Sequence, residues 1–107
     1  MPFAYIVRCS DDSYYVGSTW DLDRRLWEHN EGLGARYTAH RRPVTLVWAE
    51  YFESIIDAFL FEKRVQSWSR AKREALINRD YDALPGLAKK DFSKRREDEA
   101  AEAEAEE

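Results

Sequence analysis

The chain has 107 residues, of which 44% are hydrophobic and 14% aromatic. This length allows one domain, and the aromatic content supports a folded core, which excludes intrinsic disorder over most of the chain. The sequence has no apolar run of the roughly 20 residues that a membrane span needs, and its start does not resemble a secretory signal. With Cys9 as the single cysteine, we expect a soluble cytoplasmic protein without an internal disulfide.

The net charge of −4 is unevenly distributed. Residues 91–107 carry 8 acidic and 3 basic residues, whereas residues 1–90 carry 13 acidic and 14 basic residues. We expect a folded domain over residues 1–82 and an extension over residues 83–107 that ends in a disordered acidic tail rich in Ala and Glu. Basic clusters on a near-neutral domain favour nucleic acid as a partner, although a solvated helix face gives the same pattern.

Three segments have the composition of β-strands. Residues 3–8 and 14–18 flank the turn sequence SDDS and predict a β-hairpin, and residues 44–52 show the strongest strand pattern. Together with three predicted helices they indicate an α/β domain in the order β-β-α-β-α-α, with a small antiparallel or mixed three-stranded sheet. Residues 31–43 show no clear period and are expected to form a loop.

Each predicted helix follows a residue whose short polar side chain can accept a hydrogen bond from the first turn. These capping residues define where the helices begin. The helices are expected over 22–30 after Asp21, over 55–68 after Ser54 and over 70–79 after Ser69.

Several polar residues lie beside apolar positions on these helices. At about 100° per residue, Arg25 and His29 share a face next to the leucines of the first helix, while Arg24 points away from that face. Glu62 falls inside an apolar arc of the second helix, where a carboxylate is costly unless it is paired, protonated or bound to a cation. The sequence is consistent with two interpretations of Glu62, namely an ion pair with a neighbouring basic residue or a metal ligand. The residues of the arc are Ile55, Ala58, Phe59 and Val65.

Tyr5 and Tyr15 lie near the middle of the two opening strands. Because alternate residues of a strand share a face, a register that pairs positions of equal parity places both tyrosines on one side of the hairpin. Tyrosine is common in strands, so each residue alone is equally consistent with packing.

In order and spacing, these features resemble the GIY-YIG nuclease family. The segment FAY ending at Tyr5 is similar to the first family motif, with its glycine and isoleucine replaced, and YVG beginning at Tyr15 is similar to the second. Arg25 and His29 match the Arg-x-x-x-His helix motif, and Glu62 matches the glutamate of a later helix. The resemblance is to small single-domain bacterial members, which are similar to the N-terminal endonuclease domain of the bacterial DNA-repair excinuclease.

The resemblance covers residues 3–80 and implies a metal-dependent endonuclease that acts on nucleic acid, with DNA expected, in repair or processing. Glu62 would hold one divalent ion, Mg²⁺ or Mn²⁺, and Arg25 would stabilise charge on the phosphoryl oxygens. Tyr5 would assist Tyr15, and the general base is open between Tyr15 and His29.

Basic side chains are expected to position the nucleic acid through phosphate contacts, which do not specify sequence. The sequence contains no recognisable recognition module, so structure-selective cleavage or a protein partner that supplies specificity is expected. The expected contacts are Arg36, His40, Arg41, Arg42, Arg64, Arg70, Lys72 and Arg73.

Two further hypotheses compete with the nuclease. A non-catalytic module that binds nucleic acid or a protein partner is supported by the small size, the altered first motif and the acidic tail, which can cover a basic groove. A plain α/β scaffold is opposed by Glu62, because an unpaired core carboxylate would destabilise it. The nuclease is favoured because an inactive descendant is expected to lose at least one of the five family residues.

Overall fold

The computed structural model describes residues 1–84, which form a three-stranded sheet with helices on both faces. The strands are β1 (Phe3–Arg8), β2 (Tyr14–Thr19) and β3 (Thr45–Tyr51), all antiparallel in the order β2-β1-β3. The predicted α/β class and three-stranded sheet are confirmed, and of the two expected sheet types the antiparallel one is observed. From residue 85 onward, the expected extension with its acidic tail lies outside the described residues.

The three predicted helices are confirmed, two of them ending two residues earlier than expected. The side chains of Asp21, Ser54 and Ser69 each accept a hydrogen bond from the first turn that follows. The loop expected over residues 31–43 was wrong in part, because it contains a helix of four residues, too short to produce a period. The helices are α1 (Leu22–Asn30), α2 (Arg36–Ala39), α3 (Ile55–Gln66) and α4 (Arg70–Ile77), followed by a 3-10 turn at Tyr81–Ala83.

The strand register places Tyr5 and Tyr15 on one face of the sheet. Tyr5 lies opposite Gly17, and Val7 lies opposite Tyr15. Odd-numbered residues of β1 therefore pair with odd-numbered residues of β2, which is the register considered in the sequence analysis. β2 pairs with β1 alone, which leaves its other edge free of strand pairing within residues 1–84. At this strand, residues of α1 and α3 line one cleft together with Ser18 and Thr19.

The core consists of two clusters, one on each face of the sheet. Ala4 and Ile6 of β1 pack with Trp48 and with the buried sides of α3 and α4. On the opposite face, Tyr5 and Val7 pack with residues of α1. Among residues 1–84, none of the helices has the length and apolar character that a membrane span needs.

Candidate active site

Tyr5, His29 and Thr38 form a buried chain of hydrogen bonds on the α1 face of the sheet. The Tyr5 hydroxyl lies 2.7 Å from Nε2 of His29, and Nδ1 of His29 lies 2.7 Å from the Thr38 hydroxyl. That hydroxyl donates its own hydrogen to the Ala35 carbonyl at 3.0 Å, so it accepts a hydrogen from Nδ1. Nε2 then has no hydrogen in the neutral ring and accepts one from Tyr5, which fixes the polarity of the whole chain.

Burial of these three hydrogen-bonded residues keeps the side chains of Tyr5 and His29 uncharged. Tyr5, His29 and Thr38 are all 0% exposed. Burial, assisted by the positive charge of Arg25, lowers the pKa of His29 to about 4. Burial also raises the pKa of Tyr5 to about 12, against the opposing effect of Arg25. Both rings are therefore uncharged at neutral pH, and neither is directly accessible to a large ligand.

Tyr15 is the accessible member of the tyrosine pair. It is half-buried, and its ring packs edge-on against His29 with the ring centroids 5.3 Å apart. Tyr37 of α2 stacks on Tyr15 at 6.1 Å, and the guanidinium of Arg41 lies 3.8 Å from the centroid of Tyr37. The short helix α2 therefore contacts Tyr15 through Tyr37 and His29 through Thr38. This role was not predicted from the sequence, because α2 was expected to be loop.

Arg25 lies at the rim of the core, as expected, and Arg24 faces solvent. The side chain of Arg25 is 30% exposed, against 74% for Arg24. Arg25 Nη1 lies 3.5 Å from a carboxylate oxygen of Glu28. The guanidinium is thus held in place but remains open to a ligand on its exposed side.

Glu62 of α3 lies on the other side of the β2 edge, and both of its carboxylate oxygens have partners. Oε1 accepts a hydrogen bond from the Ser18 hydroxyl at 2.7 Å, and Oε2 accepts one from Gln66 Nε2 at 2.9 Å. The ammonium of Lys63 lies 3.4 Å from Oε2, so the ion pair with a neighbouring base is present. Neither Ser18 nor Gln66 was predicted from the sequence. The contact of Gln66 could have been predicted, because Gln66 lies one helical turn after Glu62. Ser18 reaches the Glu62 carboxylate only through the fold.

The apolar arc expected on α3 is wrong at Phe59. Phe59 is 47% exposed, and Phe61 is buried in its place, together with Ala58 and Val65. The helix is rotated so that the bulky Phe61 ring packs against Trp48 and Phe52, which the sequence of α3 alone does not specify. Glu62 itself is buried, as the sequence predicted, and lies on the same side of α3 as Ala58 and Val65.

The side chains of Glu62 and Ser18 provide a small set of oxygen donors for a divalent ion. Residues 1–84 contain no group of three or more His, Cys, Asp or Glu side chains that could hold a metal. Glu62 and Ser18 nevertheless present hard oxygens side by side, which suits Mg²⁺, an ion that often takes one or two protein carboxylates and fills its shell with water and phosphate. The donor set fits an ion of that kind, with Lys63 as a competing cation.

Two clefts follow the free edge of β2. The larger has a volume of about 660 Å³ and contains Ser18 and Arg25. The smaller has a volume of about 330 Å³ and contains Tyr15, Gln66 and Arg73. Because Glu62 is hydrogen-bonded to Ser18 in the first cleft and to Gln66 in the second, its carboxylate links the two.

The five side chains predicted for the site border the free edge of β2. The Tyr5 hydroxyl is hydrogen-bonded to His29 and interacts electrostatically with Arg25, Tyr15 and Glu62. The fold thus assembles these side chains from β1, β2, α1 and α3.

Three of the predicted nucleic-acid contacts lie beside the smaller cleft. Arg73 lines it, Arg41 covers Tyr37, and the guanidinium of Arg70 lies 4.4 Å from the ring centroid of Tyr14. Two of these arginines also have acidic partners in the β1–β2 turn, since Asp11 lies 3.0 Å from Arg41 and Asp12 lies 3.6 Å from Arg70.

The other predicted contacts are more dispersed. Arg64 lines a separate cleft with Phe52, Asp57, Leu60 and Phe61. Since it is two residues after Glu62, it points to nearly the opposite side of α3. The remaining four are exposed or half-exposed: Arg36, His40, Arg42 and Lys72.

Comparison with known proteins finds similarity over most of this chain. A sequence model described as the GIY-YIG catalytic domain matches residues 1–75. A UPF0213 protein of Halobacterium salinarum is 49% identical over 77 residues, covering 72% of this chain and 100% of the relative. A UPF0213 protein of Bacillus velezensis is 48% identical over 75 residues, covering 70% and 76%. The solution NMR structure of a protein from E. faecalis has a TM-score of 0.50 and 38% identity, covering 71% and 81%.

Proposed function

Because the chain belongs to the GIY-YIG catalytic domain family, we propose that it is a metal-dependent endonuclease that hydrolyses phosphodiester bonds of nucleic acid. One observation carries the proposal: Tyr5 and Tyr15 contact His29, and Arg25 lines a cleft at the same strand edge with Ser18, the hydrogen-bond partner of Glu62. DNA is the expected substrate, with a cytoplasmic role in repair or processing and a protein partner that supplies specificity.

Phosphate binding is assigned to Arg25 and Glu62. The guanidinium of Arg25 donates to the non-bridging oxygens of the scissile phosphate and stabilises the charge that develops on them. Glu62, supported by Ser18, holds the divalent ion, which supplies Lewis-acid stabilisation of the phosphoryl group when bound. The arginines beside the smaller cleft bind flanking phosphates.

Contact with the attacking water is assigned to Tyr15 rather than to His29. Tyr15 is half-buried and borders a cleft, whereas His29 is fully buried with both ring nitrogens engaged. His29 then acts indirectly, because its Nε2 accepts the hydrogen bond of the Tyr5 hydroxyl and holds that hydroxyl in place. In the reaction, water adds to phosphorus, the bond to the leaving oxygen breaks, and that oxygen takes up a proton as the water loses one.

The test is a metal titration with labelled branched, flap and single-stranded DNA. Wild type is compared with Glu62→Gln and Arg25→Ala, and Glu31→Gln, an exposed carboxylate at the end of α1, serves as the control. We expect cleavage that requires Mg²⁺ or Mn²⁺, that falls by about 100-fold or more in the two site variants and that is retained in the control. Cleavage that survives both site variants contradicts the assignment.

A non-catalytic binding module is the second candidate, and one contact favours it. The Lys63 ammonium lies 3.4 Å from the Glu62 carboxylate, where it already neutralises the charge a metal would use. Salt-sensitive binding of every DNA without cleavage, at all metal concentrations tested, would select this candidate over the nuclease.

A further inference from the structure

The larger cleft differs in chemistry from the rest of the free β2 edge. Trp20, Ile56 and Phe59 line it, and these side chains are 59%, 67% and 47% exposed. Large apolar side chains grouped at one concave surface are unusual on a small domain and mark a binding site for a ligand with apolar surface.

The charges in this cleft balance one another. Arg24 and Arg25 lie 3.9 Å and 3.5 Å from the two carboxylate oxygens of Glu28, and Asp21 adds a second acidic side chain to the lining. A polyanionic backbone therefore gains little here beyond its contact with Arg25. The smaller cleft, which Arg73 lines, is the better path for phosphates.

The apolar rings lie directly beside the proposed catalytic groups. Phe59 precedes Glu62 by three residues on α3, so the two side chains are neighbours on the helix surface. Trp20 follows Ser18, whose hydroxyl holds the Glu62 carboxylate, by two residues. A ligand whose phosphate binds between Arg25 and Glu62 can therefore place a flat, uncharged group in the cleft, if only a few bonds separate that group from the phosphate.

We propose that this cleft binds one unpaired nucleobase of the strand that is cut, stacked on Trp20 or Phe59. The inference rests on the proposed function and specifies its substrate class as nucleic acid that is single-stranded at the cleavage position. In a duplex the faces of each base are covered by its neighbours, so a base reaches the rings only when it is unstacked. Stacking is tolerant of sequence because every base has a π-face.

Binding is measured without cleavage, in the full chain carrying Glu62→Gln and with the metal chelated. A fluorescein-labelled oligothymidylate of about 15 nucleotides is compared with a duplex of the same length. Trp20→Ala and Phe59→Ala are the test variants, and Trp20→Phe keeps a stacking surface. Trp27→Ala is the matched control, because Trp27 is 58% exposed, like Trp20, but lies on α1 outside the cleft lining.

We expect Trp20→Ala or Phe59→Ala to weaken single-strand binding about tenfold or more. Trp20→Phe should restore most of any Trp20 effect, while Trp27→Ala and duplex binding change less than about twofold. Thermal unfolding of each variant confirms that the fold is retained. Equal losses for Trp20→Ala and Trp27→Ala, equal losses for single strand and duplex, or unchanged binding in both cleft variants would overturn the inference.

The two proposals fail separately. Metal-dependent cleavage by the chain with an intact Glu62, together with single-strand binding that is insensitive to both cleft variants, leaves the nuclease standing and removes the base site. Selective loss of single-strand binding in a protein that never cleaves supports base binding in the cleft, and it removes the nuclease together with the link between the base and a cleavage position.

Discussion

Nδ1 of His29 lies 2.7 Å from the hydroxyl oxygen of Thr38, and this contact joins the buried histidine of α1 to the short helix α2. The hydroxyl hydrogen is already donated to Ala35, so Thr38 can serve His29 only as an acceptor. The tautomer of His29 is thereby set from the side opposite Tyr5. Thr38 is a positioning residue, since it acts on the site through the imidazole.

Thr38→Val preserves the shape of the side chain and removes the acceptor. The Nδ1 hydrogen is then buried without a partner, which costs about 1–3 kcal/mol, and the ring no longer favours the tautomer that accepts from Tyr5. We expect cleavage to slow by about tenfold or more with a changed pH–rate profile, and Thr38→Ser to recover most of the rate. A Val variant with the wild-type rate and pH profile would show that the contact serves packing alone.

Gly17 provides the space that Tyr5 occupies. A Cβ atom at Gly17 would lie 2.5 Å from the Tyr5 hydroxyl oxygen, a distance that real side chains do not tolerate. We expect Gly17→Ala to displace Tyr5 from His29, to lower the free energy of unfolding by about 1–3 kcal/mol and to reduce the melting temperature by about 5 °C or more. Calorimetry and the cleavage rate measure the two effects, and an unchanged melting temperature would contradict the steric argument.

Much of this fold can be predicted from the sequence, because helix caps and strand alternation depend on residues that are close together in the chain. Asp21, Ser54 and Ser69 define where three helices begin through contacts within the first turn, which depend on neighbouring residues alone. Strand alternation likewise places Tyr5 and Tyr15 on one face once the register is of equal parity.

Two features that the sequence did not predict depend on distant parts of the chain. Ser18 meets Glu62 across 44 positions, and no local pattern encodes that contact. The rotation of α3 that exposes Phe59 and buries Phe61 is set by the sheet on which the helix packs. The apolar lining of the larger cleft depends on that rotation, because Phe59 reaches the cleft from the exposed side of α3.

His29 makes the stability of the protein depend on pH. Its pKa is about 4 in the folded protein, below the ordinary value of 6.5, so between these values the unfolded chain binds a proton that the folded chain does not. This contribution to stability is complete above about pH 7 and is lost as the pH falls to about 4, by roughly 3 kcal/mol at most.

Urea unfolding at several pH values tests this dependence. We expect His29→Gln to flatten the slope between about pH 7 and pH 4. The control is His40→Gln, which changes the second histidine, an exposed one. Carboxylates that titrate in the same range affect all three proteins alike. An unchanged slope in His29→Gln would mean that His29 has the same pKa in the folded and the unfolded chain.

Lys63 competes with a metal ion for Glu62. Its ammonium lies 3.4 Å from Oε2 of Glu62 and is 4.9 Å from the ring centroid of Phe59. Replacing it with methionine removes the charge and keeps an unbranched side chain, so we expect Lys63→Met to tighten Mn²⁺ binding by up to about fivefold, the gain that a partly exposed ion pair allows. Mn²⁺ binding is followed by electron paramagnetic resonance in the absence of nucleic acid.

The control for this measurement is Lys72→Met on α4. The ammonium of Lys72 also lies 4.9 Å from an aromatic ring centroid, that of Trp68, so the substitution removes the same charge from a similar setting away from Glu62. We expect Lys72→Met to leave Mn²⁺ affinity within about twofold of wild type, and Glu62→Gln to remove binding. If Lys63→Met and Lys72→Met tighten binding equally, the effect is one of net charge, and Lys63 has no specific role at the carboxylate.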